Sequence, residues 1–249
     1  APELFASSGA ALNGNLSLGI GNIIGSNVAN SLVAISVLYF ALNKDFHKKL
    51  KLNNTSSTWM IISTIIFVAL YLILKEFPLS FGLGLLGLVI FVTYKLVTEE
   101  AVDQEEMLVG KKEHVWLRAI ASLTATIFGS TLVVNNAISL AEYFNISSII
   151  IGVTVVALGT SLPEIAGTIA AARMKNPDIV FGNIFGSNLF NIALVGGVSI
   201  SIAPGMIESD VTNEMIIMLV VSLIVVLLSK SLVKKSYLIG FLTLIFYSI

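Results

Sequence analysis

A chain of 249 residues that is 56% apolar and 12% charged lacks the polar side chains that a water-facing domain of this size needs. Its 14 basic and 15 acidic residues give a net charge of −1 and no basic surface for nucleic acid, and the absence of cysteine removes disulfides, reactive thiols and thiolate zinc sites. The apolar residues come in blocks approaching the roughly 20 residues that span hydrocarbon, where only a helix satisfies its own backbone. The chain therefore reads as an all-α polytopic membrane protein.

The opening Ala1-Pro2-Glu3 has no signal-peptide character and reads as the middle of a helix, a half-span over 1–13. Eight full or nearly full spans follow, at 17–42, 58–74, 79–97, 115–143, 147–173, 178–203, 211–230 and 235–249. The mixed-charge stretch 99–114 is a solvated linker that divides the chain into halves, 1–98 and 115–249. Lys44, Lys48, Lys49 and Lys51, then Lys95, Lys111, Lys112 and Arg118, then Arg173 and Lys175, then Lys230, Lys234 and Lys235 all fall on alternate loops. Only Lys75 lies on the other side, so the positive-inside rule makes the basic loops and the linker cytoplasmic. Trp59 and Trp116 begin spans on that side, as interfacial anchors do, while His47 and His114 read as solvated loop residues.

Two stretches match without gaps at an offset of 161, the first ending at Asn30 and the second at Asn191. Identical pairs include Pro2/Pro163, Glu3/Glu164, Gly21/Gly182, Asn22/Asn183, Gly25/Gly186, Ser26/Ser187, Asn27/Asn188 and Asn30/Asn191. The first Pro-Glu helix ends at uncharged Asn13-Gly14-Asn15 and its partner at basic Arg173-Met174-Lys175, so the two copies are expected to run oppositely through the membrane. Inverted repeats that meet at the midplane are the sequence mark of secondary transporters.

Of the 15 acidic residues only Glu3 and Glu164 lie well inside spans, where a carboxylate costs at least a few kcal/mol. Each follows a proline, which frees a carbonyl one turn earlier; for Pro163 this is the carbonyl of Gly159, beside Ala157, Thr160 and Ser161. Ser26 and Asn30, and likewise Ser187 and Asn191, stand at i, i+4 on one face of the next helix. Carboxylates, carbonyls and hydroxyls form the all-oxygen set that hard cations such as Ca2+ and Na+ require. The spacing Gly21-x-x-x-Gly25, repeated at Gly182 and Gly186, also suits close helix packing. It misses the dinucleotide-loop spacing, and Asn135 and Asn136 read as helix-contact polars rather than ligands.

The run Gly159-Thr160-Ser161-Leu162-Pro163-Glu164, followed by Gly182-Asn183-Ile184-Phe185-Gly186-Ser187-Asn188, resembles the second α-repeat of the cation/Ca2+ antiporter superfamily. Pro2-Glu3 with Gly21 to Asn27 resembles the first, and the two together look like those of the prokaryotic sodium/calcium exchangers. The resemblance implies ten helices in two inverted five-helix repeats, of which the first one and a half lie ahead of Ala1. It further implies that Glu3 and Glu164 bind Ca2+ directly with Thr160 and a carbonyl such as that of Ala157. Ser161, Ser26 and Ser187 would serve flanking Na+ sites. Exchangers of this type often carry an Asp where Asn191 stands, so this site has two carboxylates instead of three, and the counter-ion is either Na+ or H+.

The expected function is exchange of Ca2+ for Na+ by alternating access in a prokaryotic cell membrane, with a proton/calcium exchanger as the alternative. Both need the lipid bilayer and no cofactor; protein partners are not legible, a monomer being one reading. A cation channel would need more polar residues along the spans. An enzyme is not expected: an intramembrane protease would need an Asp pair within the spans or a histidine at membrane depth.

Overall fold

The computed structural model describes residues 2–41, 54–100, 115–174, 177–207 and 209–230. Eight helices follow in order among the described residues: α1 (Pro2–Leu12), α2 (Leu16–Ala41), α3 (Asn54–Leu74), α4 (Leu79–Glu100), α5 (Val115–Phe144), α6 (Ser148–Arg173), α7 (Pro177–Phe190, continuing through Asn191–Gly196 to Gly197–Ile202) and α8 (Thr212–Lys230). Their ends agree with the expected spans to within a few residues, the largest difference being α3, which starts at Asn54. The linker is helical as far as Glu100. Its remainder, the last expected span at 235–249, both histidines and Lys44, Lys48, Lys49, Lys51 and Lys175 lie outside the described residues. Among the described residues four helices are long and apolar enough to cross a membrane: Thr55–Leu74, Leu79–Thr98, Ser148–Arg173 and Ile179–Ile202.

α2 is the central element. It packs against α1, α6, α7 and α8, and Leu18, Ile20, Asn22, Ile23, Ile24, Ser26 and Asn27 are each at most 1% exposed. A helix apolar on every side belongs inside a bundle. Its crossing with α6 is a backbone contact made possible by missing side chains. A Cβ on Gly21 would sit 2.6 Å from the carbonyl oxygen of Ile149, and one on Gly152 would sit 2.6 Å from that of Leu18. Around this crossing, Phe67, Tyr71, Phe77 and Leu85 pack with Ile192 and Met215 on one side, and Met60, Ile184 and Phe185 pack with Val221 and Val225 on the other.

Pro163 does not break its helix: α6 runs through it as α-helix from Ala157 to Arg173. The irregularity lies earlier, in a π-helical turn over Gly152–Val156, and α7 carries a second one over Asn191–Gly196. Such widened turns often accompany functional sites. The stretch of α2 that matches Asn191–Gly196 at the repeat offset is regular α-helix, so the two copies diverge here.

The loop after α3 is clasped to the loop before α8. Phe77 and Gly205 exchange two backbone hydrogen bonds, each of 2.9 Å. The Tyr71 hydroxyl donates to Asp210 Oδ1 at 2.9 Å and accepts from the Val211 N–H at 3.0 Å. Lys75 leaves α3 with φ +57°, and its ammonium reaches Thr212 Oγ1 at 2.6 Å and lies 3.6 Å from Asp210. Hydroxyl donation from Thr212 and Tyr71 holds the Asp210 carboxyl down at about 2. The ion pair itself is 52% and 65% exposed and adds little.

Removing the Tyr71 hydroxyl leaves the buried Val211 N–H without its acceptor, so Tyr71→Phe should cost about 1–3 kcal/mol, read as a lower thermal midpoint of the detergent-purified protein. A depressed carboxyl stabilises the fold above its ordinary value of 3.8 and ceases to do so as pH falls toward 2. The Asp210 contribution should therefore be constant from neutral pH down to about 5 and fall away between there and about 2. Comparing the midpoints of Asp210→Asn and the parent protein across pH 2–7 checks this: the gap between them should narrow below about 4 and close near 2.

Candidate cation site

Glu3 lies in the first turn of α1, directly after Pro2, and is 2% exposed. It is the one charged side chain among the fully buried described residues. Glu164 follows Pro163 on α6 and is half-buried. Both line one pocket of about 470 Å³, whose opposite wall is a face of α7: Gly182, Asn183, Gly186, Ser187, Phe190 and Asn191, with Leu194 and Val195 beyond. Among the residues expected to bind ions, Glu3, Glu164, Ser187 and Asn191 thus meet at a single place, and Asn191 begins the widened turn of α7. Its Nδ2 has no hydrogen-bond partner among the described residues.

The remaining candidates are placed otherwise. Thr160 Oγ1 lies 3.0 Å from Asn22 Oδ1 and 3.3 Å from the carbonyl oxygen of Ala157. Ser26 Oγ is 3.3 Å from both Asn22 Oδ1 and Thr160 Oγ1. These groups join α2 to α6 and do not line the pocket. Asn30 donates to Asn188 Oδ1 at 3.2 Å, and Asn188 in turn donates to Ser31 Oγ at 2.7 Å and to the Asn27 carbonyl at 3.3 Å, linking α2 to α7. The Ser161 hydroxyl and Asn30 Oδ1 are buried without a partner among the described residues. Asn136 turns back onto its own helix, donating to the Leu132 carbonyl at 2.7 Å, and with Asn135 is exposed among the described residues.

Sequence reasoning passed over Asn22 and Asn183 as site residues. Asn183 lines the pocket and bonds the Glu164 carbonyl at 2.9 Å. The signal for both was their identity across the repeat. A second difference concerns the glycines: Gly21 and Gly25 are pressed against α6, whereas a Cβ on Gly182 or Gly186 would meet nothing within 4 Å. The motif is shared, but only the first copy is a helix crossing among the described residues. In the second copy the same face borders the pocket.

Chemically, the pocket offers two carboxylates, a hydroxyl and two side-chain amides, all hard donors on packed helices. No buried Lys or Arg accompanies them among the described residues, and a desolvated carboxylate pair of this kind favours a bound cation over an empty pocket. The described residues bring no third Asp, Glu, His or Cys to form a cluster with them.

Residues 1–98 and 114–249 match the family model described as sodium/calcium exchanger protein. CaxA of Alkalimonas amylolytica is 32% identical over 250 residues, covering 94% of this chain and 76% of that protein. The inner membrane protein YrbG of Escherichia coli K12 is 31% identical over 241 residues, covering 91% of this chain and 73% of YrbG. The solved sodium-calcium exchanger NCX_Mj superposes with a TM-score of 0.65 at 24% identity, over 100% of this chain and 80% of its own.

Proposed function

This chain belongs to the sodium/calcium exchanger protein family, a family of membrane antiporters and not enzymes, and from that premise we propose that it exchanges Ca2+ for Na+ at the Glu3/Glu164 pocket. The observation that carries the reading is the meeting of two carboxylates from the two repeat copies in one pocket without a buried cationic side chain among the described residues. Two ionised glutamates neutralise one Ca2+. The solved relative NCX_Mj was studied with Na+ and Sr2+ or Ca2+, the same pairing of a monovalent with a divalent ion. Ser187 and Asn191 complete the oxygen shell around the carboxylates, and Thr160, Ser161, Ala157, Ser26 and Asn30 flank it as further oxygen donors.

Exchange follows from charge. A doubly negative pocket crosses hydrocarbon at high cost unless Ca2+, Na+ or protons occupy it, so Ca2+ leaving on one side requires a counter-ion for the return. The pocket is exposed to the two sides in alternation by movement between two inverted halves, 1–98 and 115–249, joined by a cytoplasmic linker. The membrane is the cell membrane of a prokaryote, with the basic loops inside.

A second reading, H+/Ca2+ exchange, is favoured by one observation: both repeat copies carry Asn at this position, Asn30 and Asn191, the latter where exchangers of this type often carry Asp, which leaves two carboxylates able to carry two protons for one Ca2+. Purified protein in sealed vesicles separates the readings. An imposed Na+ gradient at equal pH should drive 45Ca2+ uptake under the first reading. Uptake driven by an imposed pH gradient and indifferent to Na+ would replace it with the second.

A further inference from the structure

The same hydrogen bond occurs in both copies of the repeat, one turn away from each glutamate. Asn22 Nδ2 on α2 donates to Ser7 Oγ on α1 at 2.8 Å. At the repeat offset, Asn183 Nδ2 on α7 donates to Thr168 Oγ1 on α6 at 2.9 Å. Ser7 follows Glu3 by four residues and Thr168 follows Glu164 by four, so each hydroxyl shares its helix face with the glutamate. The Thr168 hydroxyl gives its single proton to the Glu164 carbonyl at 2.8 Å, and Asn183 Nδ2 donates to that same carbonyl at 2.9 Å. Thr168 must therefore accept from Asn183, and the amide orientation is fixed by the network.

We propose that Asn183 and its repeat-mate Asn22 are positioning residues for ion exchange, each holding the glutamate-bearing turn of one helix at a set height on the next. A carboxylate that coordinates an ion needs its helix turn held to about 0.5 Å, and the groups that do this sit behind the ligands. An amide suits the task because it is neutral: it adds no charge to a pocket whose sum must match the ion. Asn183 clamps Glu164 directly, through the carbonyl of that very residue. Asn22 clamps through Ser7 and also takes Thr160 onto its Oδ1 at 3.0 Å, so it joins α1 to α6 across α2. Asn22 is fully buried and Asn183 half-buried, which makes Asn183 the cleaner residue to vary.

This inference rests on the Ca2+-binding reading of the pocket, and equilibrium binding of 45Ca2+ to purified protein tests the two separately. Absence of binding by the parent protein overturns the functional reading. Given parent binding, Asn183→Ala should weaken it about ten-fold and shift its pH profile, since the carboxylate is no longer held in place. Thr168→Val removes the other end of the same bond and should weaken binding in the same direction. The double variant should be no weaker than Asn183→Ala alone, because Asn183→Ala already removes the contact that Thr168 makes with α7. A merely structural role predicts a lower thermal midpoint with unchanged Ca2+ affinity in the folded fraction; that result, in either single variant, overturns the positioning role. Additive losses in the double variant overturn it too.

Discussion

Replacing Glu164 with Gln should abolish gradient-driven 45Ca2+ uptake, a loss of at least about 100-fold, and Glu3→Gln should do the same. Glutamine keeps the length, the planarity and one carbonyl oxygen, so the pocket retains its shape and most of its donors. What changes is the sum: one negative charge against a divalent cation leaves a net positive charge in a desolvated pocket, and burying uncompensated charge costs several kcal/mol. The fold should not suffer, because no buried Lys or Arg among the described residues depends on either carboxylate. A neutral amide is easier to bury than a carboxylate, so the thermal midpoint should hold or rise while transport disappears. Near-normal uptake in either variant would remove the pair from the ion site. A collapse of stability would recast the glutamates as structural.

The second large effect concerns a residue with no side chain. A Cβ on Gly25 would lie 2.6 Å from the Ala157 Cβ and would collide with the carbonyl oxygen of Val153. Backbone atoms of a packed helix cannot move aside as a flexible side chain does, so Gly25→Ala must push α2 away from α6 along the whole crossing. The expected cost is about 3 kcal/mol or more, seen as a large fall in thermal midpoint or as loss of the monodisperse peak in size exclusion. Gly84 on α4 is the matched control: it is exposed, a Cβ there meets nothing within 4 Å, and Gly84→Ala should be neutral. Gly25→Ala with an unchanged midpoint would mean that the α2/α6 crossing is looser than a direct backbone contact.

The spans were legible because hydrocarbon imposes a length on uninterrupted apolar blocks, and Leu79 and Arg173 ended up where those blocks end. The glutamates were legible for the opposite reason: acids are so costly at that depth that two in matching positions require a purpose. The division of labour among the hydroxyls and amides was not legible. Ser26 and Ser187 occupy equivalent positions in the same motif, yet Ser26 faces Thr160 across a tight crossing while Ser187 faces the pocket. Residue identity sets what a group can bond; the neighbouring helix decides what it does bond, and the two copies have different neighbours. The same limit hid Asn183, whose identity with Asn22 was visible but whose reach to the Glu164 carbonyl depends on where α7 lies against α6. The widened turns left no sequence signal either, and the α-helix continues unbroken through Pro163.

The turn over Gly152–Val156 holds one residue more than a regular helix would use there. Losing a residue anywhere between Ala157 and Pro163 would rotate Glu164 by about 100° relative to the helix before it, taking the carboxylate away from α1 and α7. Losing one within the widened turn would only restore regular winding, with Glu164 still facing inward. The five residues ahead of Ala157 are thus a slack segment, the place where this helix can shorten in the course of evolution without its chemistry being turned toward lipid.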